Sequence, residues 1–367
     1  MVVPRIGHAN MPDTHCHTPR LDRRGAGFAL LAAVLFGAST PFAKQLLRGA
    51  TPQLLAGLLY LGSGLGLAAV WRAWGSGRGE AQLSRGDAPW LAGAIAFGGV
   101  LGPLLLMLGL TRTPASSASL LLNLEGVFTA LLAWFVFREN VDRRIALGML
   151  AIVAGGVVLS WEGRVAWGGL SGPLLVAGAC ACWAIDNNLT QKVSAGDPMQ
   201  IAMLKGLVAG SVNVVLALAL GANWPTPLHV GAALLLGLLS YGVSLVLFVL
   251  ALRYLGTART GAYFSVAPFV GAAVAVAVYH EGATLLLASG AALMALGVWL
   301  HLTEQHEHLH VHEALEHEHL HAHDAHHQHA HEPNDPPGEP HTHWHRHEPL
   351  AHTHPHYPDI HHRHSHE

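Results

Sequence analysis

Ten apolar stretches, each about 20 residues long, recur along this chain with short polar breaks between them. A helix needs about that many apolar residues to cross the hydrocarbon core of a bilayer. Between residues 25 and 300 there are only 14 Lys or Arg and 9 Asp or Glu, about 8% of this segment, whereas soluble domains carry about 25% charge. Such a segment cannot cover itself with a water-exposed surface, so the sequence predicts an all-α membrane protein.

The predicted transmembrane helices lie at 27–47, 53–74, 89–110, 115–137, 145–162, 168–188, 199–220, 228–252, 259–279 and 283–301. Gly and Pro mark the breaks, for example at Gly49-Ala50-Thr51-Pro52 and Gly196-Asp197-Pro198, as is typical of turns. The short N-terminal segment 1–25 is polar and is expected to stay in the cytoplasm.

The distribution of basic residues predicts the orientation of these helices. With ten crossings, the segments on the side of the N-terminus hold 13 Lys or Arg, and the opposite side holds only Arg48, Arg112 and Arg164. Because cytoplasmic loops are enriched in Lys and Arg, both termini are predicted to be cytoplasmic in a multi-pass inner-membrane protein. The net charge of -3 combines this basic body with an acidic tail and does not indicate nucleic-acid binding.

The two halves of the body are related in sequence. A displacement of 147 residues aligns Phe36 with Trp183, and one of 142 residues aligns Glu139 with Glu281. Five helices followed by five related ones place the second half upside down, because an odd number of crossings reverses the direction of the chain. Inverted repeats of this kind build many secondary transporters.

Several motifs occur in the same order in both halves. The first half holds the Phe36 to Lys44 motif and the Asn123 to Trp134 motif, and the second holds Ser265 to Phe269 followed by His280-Glu281. In these motifs the chain resembles the EamA type of the drug/metabolite transporter superfamily. The resemblance implies two inverted five-helix repeats, at 26–162 and 168–301, around a central cavity. It also implies export or exchange of small solutes. We expect this to require no cofactor and no enzymatic chemistry.

Polar residues within the predicted helices are the candidates for the cavity and for coupling. A charge at the bilayer centre costs about 2.5–3.5 kcal/mol on insertion scales, so such residues are functional candidates. The candidates are Lys44, Thr40, Pro41, Asn123, Glu125, Trp183, Asp186, Asn187 and Pro268. Pro41 and Pro268 are expected to interrupt their helices and to free carbonyls that line the cavity.

Each charged candidate also has a structural interpretation. Lys44 can extend its ammonium to the outer interface, Asp186 can mark an ordinary helix end, and Glu125 can make a hydrogen bond between packed helices. Lys205 and Asn213 in the seventh helix are weaker candidates, and Glu281 is expected to anchor a turn.

The C-terminal segment 302–367 is rich in histidine, and 24 of the 29 His residues lie between His301 and Glu367. Two copies of a His-Glu-His-Leu-His pattern begin eleven residues apart, close to three helical turns. If this part is helical, residues four apart can chelate a divalent ion such as Zn, Ni, Co or Cu. The predicted ligands are His306, His308, His310, His312, His317, His319, His321 and His323. The tail is therefore expected to be partly helical, and the Pro-rich remainder disordered.

The leading hypothesis is a secondary transporter of a small metabolite or amino-acid-like solute. The first alternative is a divalent-cation transporter that the tail regulates or buffers. The second is a membrane-anchored metal reservoir or sensor that transports nothing. A peptidase hypothesis from the two His-Glu-x-x-His matches is the weakest, because that chemistry needs a buried helix and a third ligand.

Overall fold

The computed structural model describes most of the membrane body and four segments of the tail. The described residues are 23–74, 83, 85–137, 143–160, 167–191, 193, 197–248, 250–251, 260, 263–302, 306–312, 315–321, 341–347 and 350–356. The N-terminal segment up to residue 22 and the predicted ligand His323 lie outside them.

The described body is helical throughout. Its α-helices are α1 (Arg23–Leu46), α2 (Pro52–Trp74), α3 (Ala88–Ala94), α4 (Gly102–Leu110), α5 (Ala115–Leu121), α6 (Leu124–Phe137), α7 (Arg143–Leu159), α8 (Trp167–Gln191), α9 (Pro198–Ala219), α10 (Pro227–Gly237), α11 (Ala267–Tyr279) and α12 (Leu285–Leu302). A 3₁₀ turn at Arg85–Asp87 precedes α3. Each of the ten predicted windows contains helix.

Five helical segments are long and apolar enough to cross a membrane by themselves: Arg24–Leu46, Pro52–Ala73, Arg85–Leu110, Met199–Ala219 and Pro227–Phe248. Shorter apolar helices cover Ala146–Leu159, Ala267–Tyr279 and Leu285–Leu300. Large apolar side chains such as Leu228 and Leu285 are more than 80% exposed, which suits a surface in contact with lipid. The body is therefore that of a multi-pass membrane protein, and the number of ten crossings stays a prediction.

The third and eighth predicted helices each contain a π-helical segment. Ile95–Leu101 lies between α3 and α4, and Leu238–Val243 follows α10. A π-helix bonds each N–H to the carbonyl five residues back, and such bulges often occur at functional sites. These are the third helices of the two halves.

The fourth and ninth predicted helices are interrupted as well. Residues 122–123 form a turn between α5 and α6, where the Asn123 amide bonds to the Leu120 carbonyl three residues back at 3.0 Å. Residues 265–266 form a turn before α11, and Pro268 lies in the first turn of α11, where the missing N–H would have no helical partner anyway. The two turns are 143 residues apart, within one residue of the 142-residue displacement of the sequence repeat.

The expectation that Pro41 interrupts its helix is wrong, because α1 continues through Pro41 to Leu46. Proline removes the hydrogen bond to the carbonyl four residues back, which belongs to Gly37. At Gly37 the chain packs directly on α11, since a Cβ there would overlap the Ala267 carbonyl. Packing against a neighbouring helix allows a membrane helix to keep its course past a proline.

Small residues bring the helices of the two halves together. The most extensive helix contact joins α2 to α9, where a Cβ on Gly206 would lie 2.5 Å from the Gly64 amide nitrogen. The contact of α7 with α12 is formed in the same way, since a Cβ on Gly155 would lie 2.9 Å from the Gly290 carbonyl oxygen. In lipid, helices associate through such close packing of small residues.

The described tail segments are strands, so the prediction of helix is wrong for 306–312 and 315–321, and the prediction of disorder is wrong for 341–347 and 350–356. They are β1 (His306–His312), β2 (Leu315–His321), β3 (His341–His347) and β4 (Leu350–His356). β1 pairs with β4 and β2 pairs with β3, both antiparallel. Alternating His-x-His has a period of two, which matches a strand and not a helix.

Candidate functional site

A buried ion pair joins α8 to α9. The Lys205 ammonium lies 2.6 and 2.8 Å from the two carboxylate oxygens of Asp186, and the side chains are only 12% and 9% exposed. The Thr190 hydroxyl, one helical turn after Asp186, donates to the same carboxylate at 2.9 Å. The Lys205 ammonium also donates to the Thr190 hydroxyl oxygen at 3.2 Å. The four-residue spacing on α8 thus places both acceptors of Lys205 on one face.

A second polar contact lies next to this pair. The Asn187 amide donates to the Glu125 carboxylate at 2.7 Å and joins α8 to α6. Asn187 is exposed, Glu125 is half-buried, and a Cβ on Gly126 would meet nothing within 4 Å. The side-chain groups of Asp186, Lys205, Glu125 and Asn187 are called the charged cluster below. Its ion pair is buried, and the cluster reaches the surface of the body at Asn187.

The π-helix between α3 and α4 forms the adjoining wall. The Gly98 carbonyl accepts from the Tyr60 hydroxyl at 2.7 Å and from the Trp183 indole at 3.1 Å. The Gly99 carbonyl accepts from the Asn213 amide at 3.2 Å. Side chains from α2, α8 and α9 thus bind carbonyls of the π-helix. A Cβ on Gly98 would overlap the Asp186 carboxylate, so glycine there permits the charged cluster to form.

Aromatic rings continue from this wall toward α1. Tyr60 packs on Tyr241 with ring centroids 5.4 Å apart, and Tyr241 packs on Phe36 at 5.8 Å. Phe36 in turn lies 5.5 Å from Phe264. The wall near the charged cluster is therefore aromatic and built from helices of both halves.

A separate group of polar contacts, called the latch below, joins the end of α1, the connection before α5 and the connection after α11. Glu281 accepts from the amides of Ala115 and Ser116 at 2.8 and 2.9 Å and from the Ser116 hydroxyl at 2.7 Å. Lys44, at the end of α1, donates to the Thr113 carbonyl at 2.5 Å and lies 3.9 Å from Glu281.

The backbone and the electrostatics of Glu281 fit this role. The preceding His280 has a φ of 53°, a left-handed conformation that is costly for a residue other than glycine and that ends α11. Burial by itself raises the pKa of Glu281. The hydrogen bonds from Ser116 and Ala115, with the charge of Lys44, outweigh burial and lower the pKa below its ordinary value. The carboxylate is therefore held in its charged form.

The structure brings Glu125, Trp183, Asp186 and Asn187 together, and it places the other candidates elsewhere. Asn123 donates to the Leu120 carbonyl of its own turn at 2.9 Å and not to Glu125. Lys44 belongs to the latch. Thr40 and Pro41 lie buried in α1, and Pro268 lies buried at the start of α11.

Sequence reasoning ranked Lys205 low and gave no role to Tyr60 or Gly98. Nothing in the local sequence signals a π-helix, and the partner of Lys205 is 19 residues away. An apolar helix interrupted by a single Lys was the only available signal. For metal binding, no group of three His, Cys, Asp or Glu lies together among the side chains that the structure describes.

The sequence profile of the EamA-like transporter family matches this chain twice, at residues 23–161 and 170–303. The chain belongs to the EamA-like transporter family. Each match covers one half of the helical body, with the junction between α7 and α8.

Two relatives are similar along most of the body. An uncharacterized transporter of Methanothermobacter thermautotrophicus is 30% identical over 293 residues, which covers 74% of this chain and 84% of that protein. A probable amino-acid metabolite efflux pump of Salmonella typhimurium is 26% identical over 318 residues, which covers 77% of this chain and 96% of the pump. Both names describe transport, and the family is one of non-enzymatic membrane transporters.

A shorter relative and a solved structure are also similar to parts of this chain. A probable 4-amino-4-deoxy-L-arabinose-phosphoundecaprenol flippase subunit, ArnE, of Pseudomonas aeruginosa is 45% identical over 89 residues, 24% of this chain and 74% of the subunit. A solved crystal structure superimposes with a TM-score of 0.57 at 18% identity and covers 75% of this chain and 95% of its own. At that identity the match shows the fold alone.

Proposed function

We propose that this protein moves a small metabolite or amino-acid-like solute by alternating access between two inverted five-helix halves. The observation that carries the proposal is the charged cluster, which places a cation, two carboxylates and an amide among membrane helices. A helical membrane anchor does not need such groups, because charged side chains are costly to place in a bilayer. A transporter uses them to replace the water that a polar solute loses.

The composition of the cluster favours a solute with both charges. A solute ammonium can take the place of Lys205 at Asp186, or bind Glu125, while a solute carboxylate binds Lys205. An exchange of partners leaves neither Asp186 nor Lys205 without an opposite charge, whereas removal of one member of a buried pair costs about 3–5 kcal/mol. The cluster is thus suited to bind and release an amphoteric molecule.

The latch supports the alternating mechanism. Asn187 is exposed at the charged cluster, while Lys44, Glu281 and Ser116 connect both halves at the latch. In the predicted topology the latch lies on the outer side, because it joins the end of the first helix to the connections before the fourth and tenth helices. Access from outside then requires separation of the latch. The π-helices and helix breaks at matching places of the two halves are where we expect the bending.

The proposal is tested with protein in liposomes loaded with labelled amino acids and other zwitterions. Asn187→Ala removes the hydrogen bond that positions the Glu125 carboxylate. If the displaced carboxylate loses one charge-assisted hydrogen bond to the solute, worth about 1.5–3 kcal/mol, the apparent solute affinity should fall by about tenfold or more. The matched control is Asn188→Ala, since the Asn188 amide donates to the Ala184 carbonyl of its own helix at 2.8 Å. If both variants transport the solute equally well, the charged cluster takes no part in transport.

The same liposomes address the cation alternative. Labelled Zn, Ni and Co are loaded in place of zwitterions, into vesicles that hold the full chain or the chain without 302–367. We expect no metal flux in either case. Metal flux that saturates and requires Asp186 would favour cation transport instead.

A further inference from the structure

The charged cluster holds one carboxylate more than it has cations. The Lys205 ammonium contacts both oxygens of Asp186, at 2.6 and 2.8 Å. Glu125 accepts a hydrogen bond from the neutral Asn187 amide at 2.7 Å, and no cation among the described residues forms an ion pair with it. An ionised Glu125 would therefore leave the cluster with an uncompensated negative charge between membrane helices.

The described groups that face Glu125 do not compensate this charge. They are Asp186, Cys180 and Tyr60, an anion and two groups that are ordinarily neutral at pH 7. α7 also packs on α6, but its Arg144 lies over an indole ring of α12, 5.5 Å from the ring centroid, and its Arg143 is exposed. A carboxyl group that is partly removed from water and has no counter-ion favours its neutral form.

Asp186 is not suited to take a proton in the same way. Both of its oxygens accept from Lys205, and the Thr190 hydroxyl donates to it at 2.9 Å. Protonation of Asp186 would leave the Lys205 ammonium, whose side chain is only 12% exposed, without a counter-ion, which is costly for a buried charge. Asn187 is exposed and contacts Glu125, so water can approach the glutamate from the surface of the body.

We propose that Glu125 carries a proton when the cluster is empty, and that the ammonium group of an arriving solute displaces it. The O–H bond of the carboxylic acid breaks, its electron pair stays on the carboxylate, and the proton passes to water on the side from which the solute came. The solute ammonium pairs with Glu125, and the solute carboxylate pairs with Lys205. When the solute leaves on the other side, Glu125 takes up a proton there. Solute and proton are thus exchanged one for one, an inference that rests on the proposed function.

Proton release on binding is the direct test. The full chain in detergent, in a weakly buffered solution with a pH indicator, is mixed with neutral L-amino acids set to the same pH. We expect about one proton to be released for each amino acid bound, because binding and protonation compete for the same carboxylate. Glu125→Gln should release none, and Glu125→Asp, which keeps a titratable group, should release protons again.

Asp197→Asn is the matched control. Asp197 is also a buried carboxylate, but it caps α9 and accepts from the Met199 amide at 2.8 Å, a role that Asn fills equally well. This variant should release as many protons as the unmodified protein. Thermal unfolding in detergent identifies any variant that is not folded.

Liposomes test the exchange itself. With the membrane potential clamped, a pH difference of about one unit should sustain about a tenfold gradient of the transported amino acid, because the two differences carry the same free energy. Glu125→Gln should still exchange labelled for unlabelled amino acid, at reduced affinity, but its gradient should not respond to pH.

The outcomes separate this inference from the proposed function. Amino-acid flux without proton release in the unmodified protein overturns proton exchange and leaves zwitterion transport in place. Proton release that persists in Glu125→Gln overturns the assignment to Glu125. Absence of any amino-acid flux overturns the proposed function and this inference together.

Discussion

At the scale of single residues, the charged cluster depends on the absence of a side chain at position 98. Asp186 occupies the space where a Cβ of residue 98 would lie, and the Gly98 carbonyl already accepts two hydrogen bonds from Tyr60 and Trp183. The position is therefore crowded on both its backbone and its side-chain sides. Interiors packed to this density do not absorb an added methyl without movement.

We therefore expect Gly98→Ala to displace Asp186 and to reduce solute flux strongly, with a loss of stability of about 1–3 kcal/mol from overpacking. Gly126→Ala is the matched control, because its Cβ would meet nothing within 4 Å. Flux in liposomes and thermal unfolding in detergent are the measurements. Normal flux in the Gly98→Ala protein would mean that Asp186 can move without consequence for transport.

At the scale of elements, Glu281 binds the free amides at the start of α5 from a connection 165 residues away. The first amides of a helix lack partners within the helix, and a carboxylate is favoured there. Because the pKa of Glu281 is lowered in the folded protein, its stabilising contribution is complete above the ordinary carboxyl pKa, and it is lost as pH falls through the lowered value.

The resulting prediction is a pH-dependent effect of Glu281→Gln. At pH 7 the variant should unfold at a lower temperature than the unmodified protein, and the difference should shrink as pH falls below about 4. Lys44→Gln serves as the comparison, since it leaves the three hydrogen bonds of Glu281 in place and should cost less. A difference between Glu281→Gln and the unmodified protein that is constant from pH 7 to 3 would contradict this account.

At the scale of the whole molecule, the contacts between the halves are of two kinds. Glycine-lined contacts such as α2 with α9 allow close backbone approach, and we expect them to stay closed during transport. The latch consists of one ion pair and a few hydrogen bonds, and exposed or partly exposed pairs contribute little, about 0–1 kcal/mol. It is therefore the contact that can open.

Cross-linking tests this division. In a background without native cysteines, Lys44→Cys with Glu281→Cys joined by a reducible cross-linker should stop flux, and reductant should restore it. Cysteines at Leu147 and Leu150, which are both exposed on α7, provide a cross-link within one helix that should have no effect. Full flux with the latch cross-linked would show that the halves do not separate there.

Much of the architecture follows from the sequence alone. An apolar stretch of about 20 residues is a local property, because every backbone group of a helix is satisfied within the helix itself. For the same reason the helix positions agree with the predicted windows, and the twofold match to the family follows the sequence repeat. Glu125, Asp186 and Asn187 were identifiable because polar side chains in apolar helices are exceptional. The alternation of His with other residues in the tail has the period of a strand, although the eleven-residue spacing of the two copies favours a helix.

Only the tertiary structure decided which polar groups meet. The partners of the latch are 69 to 166 residues apart, and Tyr60 reaches Gly98 from another helix. The pairing of β1 with β4 likewise joins distant segments of the chain. Hydropathy and residue spacing describe one segment at a time, whereas these contacts depend on how helices and strands are placed against each other. The close packing of small residues and the hydrogen bonds between neighbouring elements determine that placement.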